Sequence, residues 1–120
     1  MSDIAFYPAH RLAGMIRGRE IGSLELLNHF LSRVERFNPA LNAIIWMDIE
    51  GARARATKAD AALAKGEMWG PLHGLPMTIK ESFDLLGSPT TWGIPAMRNN
   101  ISRSNSVALA ICSFCLMRAQ

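Results

Sequence analysis

Lys80 closes a short apolar run, Met77-Thr78-Ile79, and Glu81, Ser82 and Asp84 follow within four residues. An amine, a hydroxyl and two carboxylates so close together are the groups that proton transfer and acyl transfer use. Of these, an amine without its proton can serve as base, and acyl transfer further needs a nucleophile that the base activates. Turn formers bracket the run: Gly70, Pro71, Gly74 and Pro76 ahead of it, then Gly87 and Pro89 behind, with Thr90-Thr91 and Gly93 beyond. Glycine and proline supply the backbone angles of turns, and β-branched Thr78 and Ile79 suit a strand. Lys80 is therefore expected at the C-terminal end of a brief strand, where α/β folds tend to hold their chemistry.

Residues 70–93 resemble the first conserved block of the amidase signature family, hydrolases that use a Ser–cis-Ser–Lys triad. The family pattern is roughly G-P-L-H-G-[IL]-P, an apolar strand, K-D-N-x-D, and then G-x-x-T-T-x-G-S. Gly70-Pro71-Leu72-His73-Gly74-Leu75-Pro76, Lys80, Asp84, Thr90-Thr91 and Gly93 match it. Glu81 and Ser82 depart from the usual Asp-Asn, and Ile94 from the usual Ser. The resemblance implies an α/β protein: the N-terminal part of the amidase signature fold, a mixed β-sheet covered by helices, incomplete in this chain. It implies hydrolysis of carboxamide C–N bonds without metal or organic cofactor, on a small-molecule amide. Lys80 then matches the base that draws a proton from the bridging serine. Asp84, Thr90 and Thr91 are implied to support the lysine loop through hydrogen bonds.

The nucleophile is missing from this pattern. Ser23, Ser82, Ser88, Ser102, Ser104, Ser106 and Ser113 are all isolated, with no Ser-Ser pair and no glycine-flanked serine of the G-x-S-x-G kind. Ser82 lies two residues from Lys80, about 7 Å away along an extended chain, which is beyond hydrogen-bond reach. A lysine works as a base only without its proton, and at neutral pH that requires burial. The chain is thus expected to stop before the serine-rich block, to leave Lys80 solvated, and to be inactive alone. Cys112-x-x-Cys115 has no second pair to complete a zinc site. His73, in the Pro-Leu-His-Gly turn, is read as stabilising that turn, and His10 and His29 as surface or packing residues.

The surrounding elements must position Lys80. Pro8 suits the first turn of a helix carrying Leu12, Ala13 and Ile16 on one side and closed by Gly18. Ser23 is expected to cap a second helix, with Glu25 in its first turn and Leu24, Leu27, Phe30, Leu31 and Val34 on its core face. Pro39 is expected to stop that helix shortly after Phe37. Ala43-Ile44-Ile45-Trp46-Met47 reads as a strand covered on both faces, ended by Asp48. Residues 51–65 form an alanine-rich helix with Ala52, Ala56, Ala59 and Leu63 in a stripe and Gly66 at its C-terminus. Residues 93–106 read as a long surface loop, and residues 106–110 as the start of another helix. This order points to α/β. The resemblance extends over residues 8–110, and residues 111–120 read as an atypical tail, off-frame or truncated.

Composition limits the partners. Half the residues are hydrophobic (49%) and the thirteen Lys and Arg are scattered, so the net charge of +3 makes no nucleic-acid or membrane patch. Residues 1–4 lack the layout of a signal peptide, and the longest apolar run, residues 107–117, is shorter than the ~20 residues of a spanning helix. A cytoplasmic protein is expected. The same N-terminal block occurs in the A subunit of the aspartyl/glutamyl-tRNA amidotransferases, which would bring partner subunits. A non-catalytic binding module, or a pseudogene product without a role, is the alternative from another class.

Overall fold

The computed structural model describes residues 3–107 and the backbone of residues 115–119. Among the described residues, a 3-10 turn at Ile4–Phe6 is followed by three α-helices and three strands that carry the fold. Helix α1 (Ala9–Arg17) follows Pro8, whose φ of −64° is already that of a helix start. It buries Leu12, Ala13 and Ile16 and ends at Gly18, as the sequence suggests.

Helix α2 (Ser23–Leu41) begins one residue differently from expectation. Gly22 holds the capping position and Ser23 is the first helical residue. The expected serine cap is replaced by a carboxylate from another helix: Ser23 N–H and Leu24 N–H donate to Asp60 at 2.6 and 3.1 Å. A charged acceptor on two free helix-terminal N–H groups is a stronger cap than a serine hydroxyl. Glu25 does act in the first turn, accepting the Gly22 N–H. At the other end, Pro39 does not stop the helix, which continues to Leu41. Proline here costs one backbone bond in the last turn, while Asn42 N–H still reaches Asn38 O at 2.7 Å. The stop comes from Asn42 in the left-handed conformation (φ 48°). Asn38 then clasps the emerging chain, donating to Ile44 O and accepting from Ile44 N–H at 2.8 and 2.9 Å.

Strand β1 (Ile44–Met47) leads directly into helix α3 (Ile49–Ala64), which starts two residues earlier than expected. Asp48 caps it by accepting the Gly51 N–H at 2.9 Å. At its C-terminus, Gly66 N–H bonds Leu63 O and Glu67 N–H bonds Ala62 O, with Gly66 at φ 82°. That is the paired closure a left-handed glycine permits.

Helix α2 sits between two apolar clusters. Leu27 packs with Ala52, Ala56 and Ala59 of α3, where the short alanine side chains let the helices approach closely. Leu26 packs with Leu12 and Ile16 of α1 and with Leu75 from the turn before β2. Leu63, expected in the alanine stripe, lies against this second cluster instead.

Strand β2 (Met77–Lys80) and β1 flank a third strand, β3 (Cys115–Ala119), in the order β1-β3-β2. β3 is antiparallel to β1 and parallel to β2, so the sheet is mixed. No element was expected at residues 115–119. The double coverage expected for β1 is not found: Ile45 is 42% exposed. The helix expected from residue 106 lies, beyond Val107, outside the described residues, as do Cys112 and Ser113. No helix among the described residues is long and apolar enough to cross a membrane.

Candidate functional site

The turn before β2 is built around His73. Its side chain is buried (5% exposed), and Trp69 N–H donates to its Nδ1 at 3.1 Å. With Nδ1 accepting, the ring proton sits on Nε2 and is donated to Ala59 O at 2.9 Å. One imidazole thus ties the entry of the turn to the middle of α3. Gly74 follows with φ 72° and packs onto the N-terminus of α2, where a Cβ would run into Ser23 Oγ. Only glycine meets both conditions. The turn therefore hangs from two helices, and β2 leaves it in a set direction.

Lys80 is the last residue of β2, and its side chain is exposed. Among the described residues that side chain forms no hydrogen bond and no ion pair, Ser82 included. The chain then turns sharply, with Phe83 N–H donating to Lys80 O at 3.1 Å.

Glu81 goes the other way. Alternation along the extended backbone turns it from the Lys80 side to the interior, where it is 7% exposed. Its carboxylate accepts the backbone N–H groups of Thr91 and Trp92, the second at 2.9 Å. Trp92 has φ 55°, a left-handed conformation that a bulky residue rarely adopts. The acid next to the lysine thus holds the Thr-Thr turn in place.

The segment between these points folds into a closed lobe. Gly87 N–H bonds Ser102 O, Ser102 N–H bonds Ser88 O, and Pro89 pairs with Ile101 in an isolated bridge. Thr90 is buried; its N–H donates to Asn100 O, and its carbonyl accepts from Asn100 Nδ2 at 2.8 Å. Thr91 Oγ1 accepts the Gly93 N–H at 3.3 Å. Asp84 closes the base of the lobe through its backbone, its carbonyl accepting the Ser106 N–H at 2.9 Å. Residues 93–106, read as loop, contain a 3-10 turn at Pro95–Met97, and their second half, residues 100–106, is fastened to residues 84–90.

Glu81, the residue after Lys80, thus ties down the Thr91-Trp92 turn, while Thr90 and Asp84 are bonded within the lobe, to Asn100 and Ser106. The sequence names Glu81 beside Lys80 and marks it as a departure from the family pattern, without giving it a structural role. The available signal was a carboxylate nine residues before a Thr-Thr-x-Gly turn, whose free N–H groups need an acceptor. Pockets among the described residues lie elsewhere. The larger, about 1090 Å³, runs between α2 and the start of α3, and the smaller, about 210 Å³, lies beside Asp60. Neither borders Lys80. Among the described residues, no three His, Cys, Asp or Glu side chains converge as metal ligands would.

Comparison with known proteins places this arrangement. The family model described as Amidase matches residues 25–111. The chain is 41% identical over 93 residues to the A subunit of glutamyl-tRNA(Gln) amidotransferase from Acidothermus cellulolyticus, covering 78% of this chain and 18% of the relative. It is 34% identical over 107 residues to an acylamidase of Rhodococcus erythropolis, covering 89% and 22%. Among solved structures, fatty acid amide hydrolase superposes with a TM-score of 0.87 at 25% identity, covering 95% of this chain and 21% of that one. A bacterial aryl acylamidase of the amidase signature enzymes gives 0.84 at 21% identity, covering 96% and 25%, a likeness of fold alone. The chain spans about a fifth of the length of its curated relatives. With the Gly-Pro-Leu-His-Gly turn, the lysine strand and the Thr-Thr lobe all set in this fold, the chain belongs to the amidase family.

Proposed function

We propose that this chain supplies the general-base portion of a carboxamide hydrolase, with Lys80 as the base. The observation that carries the reading is the placement of Lys80 at the exposed end of β2, on a loop that Glu81 locks to the Thr91-Trp92 turn. In this reading Lys80 takes a proton from a bridging serine, which activates a second serine for attack on the amide carbon. Asp84, Thr90 and Thr91 keep the lysine loop in register. The substrate is a small carboxamide, the products are a carboxylate and ammonia or an amine, and the location is cytoplasmic.

No adjacent Ser-Ser pair exists within these 120 residues. On this reading the chain alone has no amidase activity. The test is a fusion in which residues 8–107 replace the aligned segment of the Rhodococcus erythropolis acylamidase. Turnover of an aryl amide by the fusion, abolished by Lys80→Ala, is the expected result. A fusion that folds and keeps its activity after Lys80→Ala would overturn the assignment.

A second reading follows from the similarity to the Acidothermus cellulolyticus protein. There the same lysine would serve glutaminyl amide cleavage within an amidotransferase, and partner subunits would be required. Affinity capture of amidotransferase subunits by the tagged chain separates the two.

A further inference from the structure

A carboxylate stands next to Lys80 in the chain, yet among the described residues the two form no ion pair. Both Glu81 oxygens are engaged elsewhere: Oε1 accepts the Thr91 N–H, and Oε2 accepts the Trp92 N–H at 2.9 Å. The turn that supplies these donors is strained. Trp92 and Gly93 have φ of 55° and 69°, and Ile94 N–H donates to Thr91 O at 2.9 Å, the marks of a type I′ turn. Its first central position suits glycine, asparagine or aspartate, and a tryptophan there holds an unfavourable backbone conformation. The indole is 63% exposed, so burial among the described residues does not offset that strain. What the conformation does achieve is to present the Trp92 N–H to Glu81.

The consequence of freeing Glu81 follows from charge. A general base must first shed its own proton, and a carboxylate in contact holds the proton on an ammonium. The attraction grows as water is excluded. Along a regular strand the two side chains point to opposite faces, but the strand ends at Lys80, where Phe83 N–H already bonds back to Lys80 O. Asp84, the next carboxylate along the chain, makes no ion pair with Lys80 either, among the described residues. Glu81 is thus the nearest counter-ion by sequence, and two backbone N–H groups keep it occupied.

We propose that Glu81 is a positioning residue for Lys80, and that the Thr91-Trp92 turn restrains its carboxylate. Bound to the turn, Glu81 fixes the exit of β2. Released from it, the same carboxylate becomes an inhibitory partner of the lysine. This role of Glu81 rests on the function proposed above.

The experiment is a double-mutant cycle in the acylamidase fusion, with circular dichroism to confirm that each variant is folded. Glu81→Gln should lower kcat by about tenfold to a hundredfold, the scale of a misaligned group, with KM within about twofold. Glu81→Asp, which keeps the charge, should recover most of that loss. Trp92→Pro removes one donor and cannot take a positive φ, so it frees the carboxylate and should also lower kcat. In that background the effect at position 81 reverses: Trp92→Pro with Glu81→Gln should turn over faster than Trp92→Pro alone. Leu27→Ala, in the cluster between α2 and α3, controls for lost stability and should leave kcat unchanged.

A Lys80-dependent fusion that is indifferent to Glu81→Gln, or whose double variant is no faster than Trp92→Pro, overturns this role and keeps the base assignment. Turnover that survives Lys80→Ala overturns both. If the fusion does not fold, amide hydrogen exchange on the 120-residue chain decides. The Thr91 and Trp92 amides should be protected in the parent and exchange about tenfold faster or more in Glu81→Gln, the scale of a lost charge-assisted bond. Equal exchange in the two forms overturns the role of Glu81.

Discussion

The carboxylate of Glu81 accepts the backbone N–H of Trp92 at 2.9 Å, bridging the residue after the lysine to a left-handed turn eleven positions later. The same carboxylate accepts the N–H of Thr91. Two N–H groups on one buried anion are charge-assisted bonds, stronger than neutral ones. They also set the direction in which the chain leaves β2. The lysine loop and the Thr-Thr turn are therefore one mechanical unit.

Glu81→Gln leaves the shape of this unit while removing its charge. One amide oxygen can replace only part of the acceptor capacity for two donors. A loss of about 2 kcal/mol is expected, the scale of a hydrogen bond to a charged group. Urea unfolding monitored by tryptophan fluorescence measures it, and an unchanged midpoint would show that the bridge does not hold the lobe.

In the fusion described above, Lys80→Ala should lower turnover by about 10²–10⁴, the usual contribution of a positioned base. Lys80→Arg should not restore it, because a guanidinium does not give up its proton in a protein. Steady-state kinetics on an aryl amide decide the point. A fall in binding with turnover unchanged would assign Lys80 to substrate contact instead.

Gly74→Ala faces two obstacles, the positive φ of 72° and the Ser23 hydroxyl in the path of a new Cβ. A destabilisation of about 2–3 kcal/mol is expected from overpacking and strain together. Ser23→Ala should behave differently. Ser23 Oγ is fully buried with no hydrogen-bond partner among the described residues, so its removal should be neutral or slightly stabilising. Combining Gly74→Ala with Ser23→Gly should recover only part of the loss, since the backbone strain stays. Thermal melts of the single and double variants separate the two components.

Asp3 supplies a pH dependence. The Ala5 N–H bond to its carboxylate, together with the nearby Arg33 guanidinium and His29, holds its pKa below the ordinary value of 3.8. Arg33 donates to it at 2.8 Å, and His29 Nε2 lies 3.2 Å away. Because the folded-state pKa is depressed, this contribution is fully present above the ordinary value and is lost as pH falls through the folded one. Asp3→Asn should therefore melt below the parent at neutral pH and converge with it in strong acid. A constant gap between the two melting curves would show that Asp3 acts without its charge.

Much of this molecule is local, and local features are legible in a sequence. The core face of α1 follows from apolar spacing, because a helix repeats its side chains every 3.6 residues wherever it lies, whereas on α2 that spacing found Leu27 but not Leu26, which packs on the opposite cluster. The turn into β2, the strand itself and the place of Lys80 follow from glycine, proline and β-branched residues, whose preferences act on their own backbone. The family pattern in residues 70–93 is of the same kind, a string of fixed positions. What only the tertiary structure decided are the partners of polar groups. Asp60 caps α2 from α3, His73 reaches back to Ala59, and Glu81 holds Trp92, and none of these pairs is set by periodicity. Each exists because folding leaves backbone groups without water, and any acceptor or donor brought within about 3 Å can satisfy them. The central position of β3 is likewise a matter of pairing between distant segments, which a strand's own residues do not specify. Lys80 could be found from its neighbours in the chain, but the loop that aims it is held by residues that are neighbours only in space.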